Sequence, residues 1–152
     1  MIQPGKPIQD ISITKESSLE KIFEQMSKSG GFESRNLADG LDVLTVMIKD
    51  NHCLKFLSFV GAIISTGLRG IIKDMIKNKW FNTVITTCGA LDHDIARHFS
   101  NYNEGSFTLD DVTLAEKNIH RLGNVLVPMD SYGPLIEEKM QSFLEEEYSK
   151  GT

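Results

Sequence analysis

Two short apolar, β-prone runs, each followed by glycine and then an amphipathic helix, constrain this chain more than any other feature. The first, CLKFLSFV from Cys53 to Val60, is too apolar for a surface strand with one wet face and fits a strand covered on both sides. The helix after it carries Ile64, Leu68, Ile71, Ile72, Met75 and Lys79 on an inner stripe, with Arg69, Lys73, Asp74 and Lys77 opposite. NTVITTC, Asn82 to Cys88, is a second buried strand, and Gly89 opens a turn into a helix from about Leu91 to Phe99. Strand, helix, strand, helix is a βαβα unit, and its crossover makes the strands parallel.

Around this unit the reading is α/β throughout. Residues 1–16 alternate weakly at Ile8, Ile11 and Ile13 and form an arm or an edge strand, with one domain over 17–152. Ser17 and Glu20 have capping-box spacing ahead of Leu19, Ile22, Phe23 and Met26, a helix ended by Gly30-Gly31. Leu37, Leu41, Leu44 and Ile48 mark a second helix over about Ser34 to Asp50. Downstream, Asp110 or Thr108 caps a helix reaching about Asn118, GNVLVP from Gly123 to Pro128 is a third strand, and Ser131 to Lys150 is a final helix whose Glu145-Glu146-Glu147 run is a solvated end. The result is one α/β unit around a small parallel sheet.

A length of 152 residues suffices for a core without a disulfide or a structural metal. Sixteen Lys+Arg against 21 Asp+Glu, a formal charge of -5, argue against a general nucleic-acid binder and favour cationic partners. Cys53 and Cys88 sit in apolar runs and read as small buried thiols of a reducing, cytoplasmic setting. No secretory signal is present, and Phe56 to Ile64 is too short to span a membrane.

Ligands of open α/β sheets bind beyond the carboxyl ends of the strands, at helix N-termini. Two such ends are FVGAIISTG, Phe59 to Gly67, and TTCGALDHD, Thr86 to Asp94. Gly61 and Gly89 permit close approach of a phosphate or ribose, and Ser65 and Thr87 offer hydroxyls, although neither loop is a G-x-G-x-x-G or a Walker sequence. Asp92-His93-Asp94 places two carboxylates and an imidazole in a helix's first turn. Helix-dipole stabilisation accounts for the acids structurally; a site for a positively charged substrate accounts for them functionally. Asp94 and His98 have i, i+4 spacing, but no H-E-x-x-H is present, so no metal is assigned. Cys88 precedes a helix N-terminus without an evident partner base.

GGF at Gly30 to Phe32, FLSFVGAIISTGLRGII at Phe56 to Ile72, VITTCGALDHDIARHF at Val84 to Phe99 and HRLGNVLVP at His120 to Pro128 occur in an order that resembles deoxyhypusine synthase, its archaeal branch most closely. The resemblance runs from about Ile11 onward. It implies a Rossmann-like parallel sheet flanked by helices, a tetramer-like assembly with sites at subunit interfaces, and NAD-dependent transfer of the aminobutyl group of spermidine to a lysine of the hypusine-bearing translation factor. It places Gly61, Ala62, Ile63, Ile64 and Ser65 on the first NAD-contacting loop, Thr87, Cys88 and Gly89 on the second, and Asp92 and His93 on the pair that touches spermidine and cofactor. Eukaryotic members carry Ser-Asn where this chain has Gly61-Ala62, and an acid pair where it has Asp92-His93, which puts side-chain contacts at the first loop in question.

Members of the family continue beyond this length, and their second half holds the catalytic lysine. Lys73, Lys77 and Lys79 do not match it, so no catalytic residue is assigned to this chain. The leading expectation is the N-terminal half of a split enzyme, a hetero-oligomer completed by a C-terminal deoxyhypusine synthase chain. The alternatives are a non-catalytic regulatory or scaffold subunit of a complete paralogue, or part of a homospermidine synthase-like polyamine enzyme.

Overall fold

The computed structural model describes residues 5–151 and divides into two compact units, Met1–Lys55 and Phe56–Thr152. In the first unit, helices α1 (Leu19–Lys28) and α2 (Phe32–Lys49) pack on each other. Residues 1–4 of the expected arm lie outside the described residues. The remainder forms no strand: Gln9 N–H reaches Lys28 O at 3.1 Å and Ser12 N–H reaches Gln25 Oε1 at 2.7 Å, so the segment bonds to α1 instead of to a sheet.

The cap of α1 falls one residue later than its spacing predicts. Ser18 Oγ accepts the Lys21 N–H at 3.3 Å, while Ser17 Oγ accepts the Thr14 N–H at 2.9 Å. Lys21 therefore occupies the third helical position, and the reciprocal glutamate of a capping box is missing. The stripe on α2 is also less covered than its periodicity implies. Leu37 and Leu44 are 56% and 46% exposed, because the helix turns the small Ala38, 3% exposed, inward instead.

The second unit begins with the expected crossover. Strand β1 (Phe56–Phe59), a 3-10 turn at Gly61–Ser65, helix α3 (Leu68–Lys77) and strand β2 (Thr83–Thr86) follow in order. The strands are parallel, Phe56 opposite Thr83 through Phe59 opposite Thr86. Thr86 Oγ1 donates to Phe59 O at 2.8 Å, closing the ladder at its carboxyl end. Their burial departs from expectation. Phe56 is 53% and Ile85 55% exposed, where both strands were expected to be covered on both faces. Only one partner strand exists for each in this sheet, and no described element encloses both its faces.

Helix α4 (Gly89–Phe99) follows β2 directly, and its Ala90 and Ala96 are buried. Strand β3 (Asn103–Glu104), helix α5 (Asp111–Glu116), strands β4 (Ile119–Leu122) and β5 (Val125–Pro128) and helix α6 (Gly133–Ser149) complete the chain. Asp110 Oδ2 caps α5 by accepting the Thr113 N–H at 2.8 Å. The third predicted strand, β5, does not join the parallel sheet. It lies between β3 and β4 in an antiparallel sheet of its own. Its pairing with β4 is set locally: Gly123, at φ +63°, and Asn124 form a two-residue turn between β4 and β5, and a link that short joins only antiparallel neighbours. The acidic end of α6 is offset by Lys150, whose Nζ reaches Glu146 Oε1 at 2.7 Å and Glu147 Oε1 at 2.9 Å. Among the described residues, no helix is long and apolar enough to cross a membrane.

Candidate functional site

The two strand-end loops meet. Thr87 Oγ1, just beyond β2, accepts the Gly61 N–H just beyond β1 at 2.9 Å. A Cβ on Gly61 would collide with the Ala90 amide and come within 2.6 Å of the Gly89 carbonyl carbon and 2.7 Å of Thr87 Oγ1. Glycine at position 61 is thus required by packing between the loops. Gly89 is different: a Cβ there would meet nothing closer than 3.8 Å.

The first loop is held from inside. Ile64 and Ser65 are buried, and Ser65 Oγ donates to Ala62 O at 2.7 Å, so this hydroxyl, expected to face a ligand, fixes the turn. Arg97 of α4 reaches across with Nη1 to Ile64 O at 2.8 Å and to Thr66 O. Exposed positions at this end of the sheet include Val60, Ala62, Thr86, Thr87 and Cys88. Cys88 corrects the reading of a buried thiol: β2 ends at Thr86, and the turn carries Cys88 to the surface as the residue preceding α4. No side chain caps α4, but Ala90 N–H already donates to Thr87 O at 3.0 Å and the Leu91 and Asp92 N–H groups to Cys88 O at 2.9 and 3.1 Å, so of this first turn the Gly89 amide is the donor left to face an anionic group.

Asp92-His93-Asp94 separates into two environments. Asp94 turns to α3, where its Oδ1 accepts Arg69 Nε–H at 2.6 Å on the rim of an apolar groove of about 660 Å³ walled by Ile72, Ile76, Val84 and Leu91. Asp92 and His93 instead meet two tyrosines. Tyr132 Oη donates to Asp92 Oδ2 at 3.2 Å, and Tyr102 Oη lies 3.0 Å from His93 Nδ1. The imidazole stands perpendicular to Tyr102, ring centroids 5.7 Å apart, and tilts 36° to Tyr132 at 5.1 Å. Burial lowers the His93 pKa from its usual 6.5, with Arg97 acting in the same direction and Asp92 against it. Burial, reinforced by Tyr132 and Asp92, pushes Tyr102 up to about 12. At neutral pH the cluster therefore holds a neutral imidazole beside a protonated phenol.

The sequence pointed to both loops and to the Asp92-His93 pair as candidates and gave no role to Arg97, Tyr102 and Tyr132, which the structure brings against them. Arg97 carried a usable signal, four residues after His93 on the same helix face. The tyrosines carried none, since they arrive from separate segments.

The family model of deoxyhypusine synthase matches residues 21–151. This chain belongs to the deoxyhypusine synthase family. It is 49% identical over 145 residues to a "probable deoxyhypusine synthase" of Thermoplasma volcanium, covering 95% of this chain and 46% of the relative. It is 45% identical over 146 residues to the like-named protein of Thermoplasma acidophilum, covering 96% and 47%. A crystal structure assigned to deoxyhypusine synthase from Entamoeba histolytica matches 72% of this chain and 44% of that one, at 20% identity and a TM-score of 0.47. The chain spans about half the length of the curated relatives it matches. The family is one of transferases.

Proposed function

We propose that this chain is the N-terminal half of an NAD-dependent deoxyhypusine synthase, active in transferring the aminobutyl group of spermidine to a translation-factor lysine when a C-terminal chain supplies the catalytic lysine. The observation that carries this reading is the junction at Gly61, Thr87 and Gly89, which joins both strand-end loops and sets Asp92 and His93 within the first turns of the helix that leaves it. The exposed Ala62, the Thr87 hydroxyl, whose own proton is not used in holding Gly61, and the Gly89 amide at the start of α4 fit the donor requirements of a dinucleotide. Bound NAD supplies the hydride acceptor and donor. This chain's residues do the rest of what the site requires here: the loop amides and Thr87 bind and orient the cofactor, the Asp92 carboxylate attracts an ammonium group, and neutral His93 offers a ring nitrogen for hydrogen bonding.

The need for a second chain is supported by the relatives' length and by the sheet itself. Phe56 and Ile85 are apolar strand positions left half exposed, and among the described residues each strand of the parallel sheet has one edge without a partner strand. The test is a native mass spectrum of the purified assembly with the denatured mass of every chain, followed by NAD and spermidine binding and aminobutyl labelling of the acceptor. A lysine-bearing second chain, with labelling only when both chains are present, is the expected result. An assembly that binds both small molecules yet never labels the acceptor overturns the transferase assignment.

A further inference from the structure

We propose that Tyr102 and Tyr132 are positioning residues of this site, Tyr102 holding His93 in the tautomer that presents Nε2–H and Tyr132 orienting the Asp92 carboxylate. The proposal rests on the reading of Asp92 and His93 as the ligand-facing pair.

Asp92 and His93 are consecutive on α4 and so project about 100° apart around its axis, and one neighbour does not hold both. Two segments divide the task. Tyr102 comes from the link between α4 and β3, and Tyr132 from the turn between β5 and α6. The second segment is itself pinned, because Ser100 Oγ, at the end of α4, donates to the buried Ser131 Oγ at 2.8 Å, one residue before Tyr132. Tyr132 then bonds Asp92 through its hydroxyl and packs its ring on His93, while Tyr102 meets His93 at Nδ1 with its ring at 90°. The imidazole is confined from two sides.

Proton bookkeeping selects the tautomer. The Tyr132 proton goes to Asp92. The only hydrogen-bond partner of Tyr102 among the described residues is His93 Nδ1. If Nδ1 carried the ring proton, the Tyr102 proton would have no acceptor among the described residues. With Tyr102 donating, Nδ1 accepts and the ring proton resides on Nε2, where it serves as a donor toward a ligand. The other charged or titratable groups around the pair are Asp92 itself, Arg97, whose guanidinium is bonded to the Ile64 and Thr66 carbonyls, and Cys88 beside Tyr132.

The test uses Tyr102→Phe and Tyr132→Phe, which remove one hydroxyl each, in the assembled protein with ¹⁵N-histidine, the His93 signal being assigned by its loss in His93→Gln. In the parent protein His93 is expected as the Nε2–H tautomer. Tyr102→Phe should produce a several-fold rise in the Nδ1–H population, because the ring nitrogen loses its donor. Tyr132→Phe should leave the tautomer in place and raise KM for the polyamine more than it lowers kcat. An Nδ1–H ring in the parent protein overturns the proposal without any variant, as does a Tyr102→Phe protein whose His93 tautomer is unchanged. If the spectra change as expected while His93→Gln binds NAD and spermidine like the parent, positioning stands and the ligand-facing reading of the pair falls.

Discussion

The parallel sheet and the loops at its carboxyl end are contiguous in the chain yet packed to opposite degrees. In the body of the sheet, Phe56 and Ile85 are 53% and 55% exposed; a few residues on, Ile64 is 5% and Ala96 0% exposed. The apolar strands leave their burial to surfaces outside this sheet, whereas the loop junction is complete in itself, closed by Thr87 on Gly61 and by Arg97 on the first loop's carbonyls. A site can therefore be built to its final geometry by one stretch of chain while the sheet beneath it still lacks neighbours. The two regions should respond differently to substitution.

The largest effect is expected at the junction. Gly61→Ala forces a methyl group against backbone and should cost about 3 kcal/mol, read as a lower urea midpoint; Gly70→Ala, in the interior of α3 with nothing within 4 Å of the added carbon, should instead stabilise by about 0.5–1 kcal/mol. Equal effects would remove the claim that the loops are tightly joined. Arg97→Ala takes away both carbonyl contacts of a charged donor and should cost about 1.5–3 kcal/mol in the same measurement.

A smaller effect depends on pH. Because the folded pKa of His93 lies below 6.5, the unfolded chain binds more protons in the window between the two values. Its contribution is fully present above 6.5 and is lost as pH falls through that window, so His93→Gln should flatten the decline of the urea midpoint on acidification. The smallest effect belongs to the sheet. Ile85→Thr, at a half-exposed position, should change the stability of this chain by no more than about 0.5 kcal/mol, yet weaken recovery of the C-terminal chain in a pull-down. A large loss of intrinsic stability would show that the sheet is already covered.

Much of this organisation was legible before any coordinates. The βαβα order, the parallel pairing and Asp110 as one of two cap candidates, beside Thr108, all follow from local pattern, because periodicity, turn chemistry and caps act over a few residues. The pattern misled where it was asked about covering. Apolar runs at Cys53–Val60 and Asn82–Cys88 predicted strands enclosed on both faces, but hydrophobicity records a demand for burial without naming what meets it. The one-residue shift from Ser17 to Ser18 in the cap of α1 is a smaller failure of the same kind, two adjacent serines competing for one role.

By itself, then, the sequence determined the α-helices and the strands β1, β2 and β5, where the parallel crossover lies, and which loop residues stand at the sheet's carboxyl end, since each depends on neighbours within one or two turns of chain; the short β3 and β4 escaped it. Only the tertiary structure decided that β5 belongs to an antiparallel sheet, that Asp94 parts from Asp92 and His93 to join Arg69, and that Tyr102 and Tyr132 close on the remaining pair. Tyr132 lies 40 residues from the carboxylate it bonds. Hydrogen bonds across that separation depend on where the intervening elements fold back, and no local pattern encodes the return.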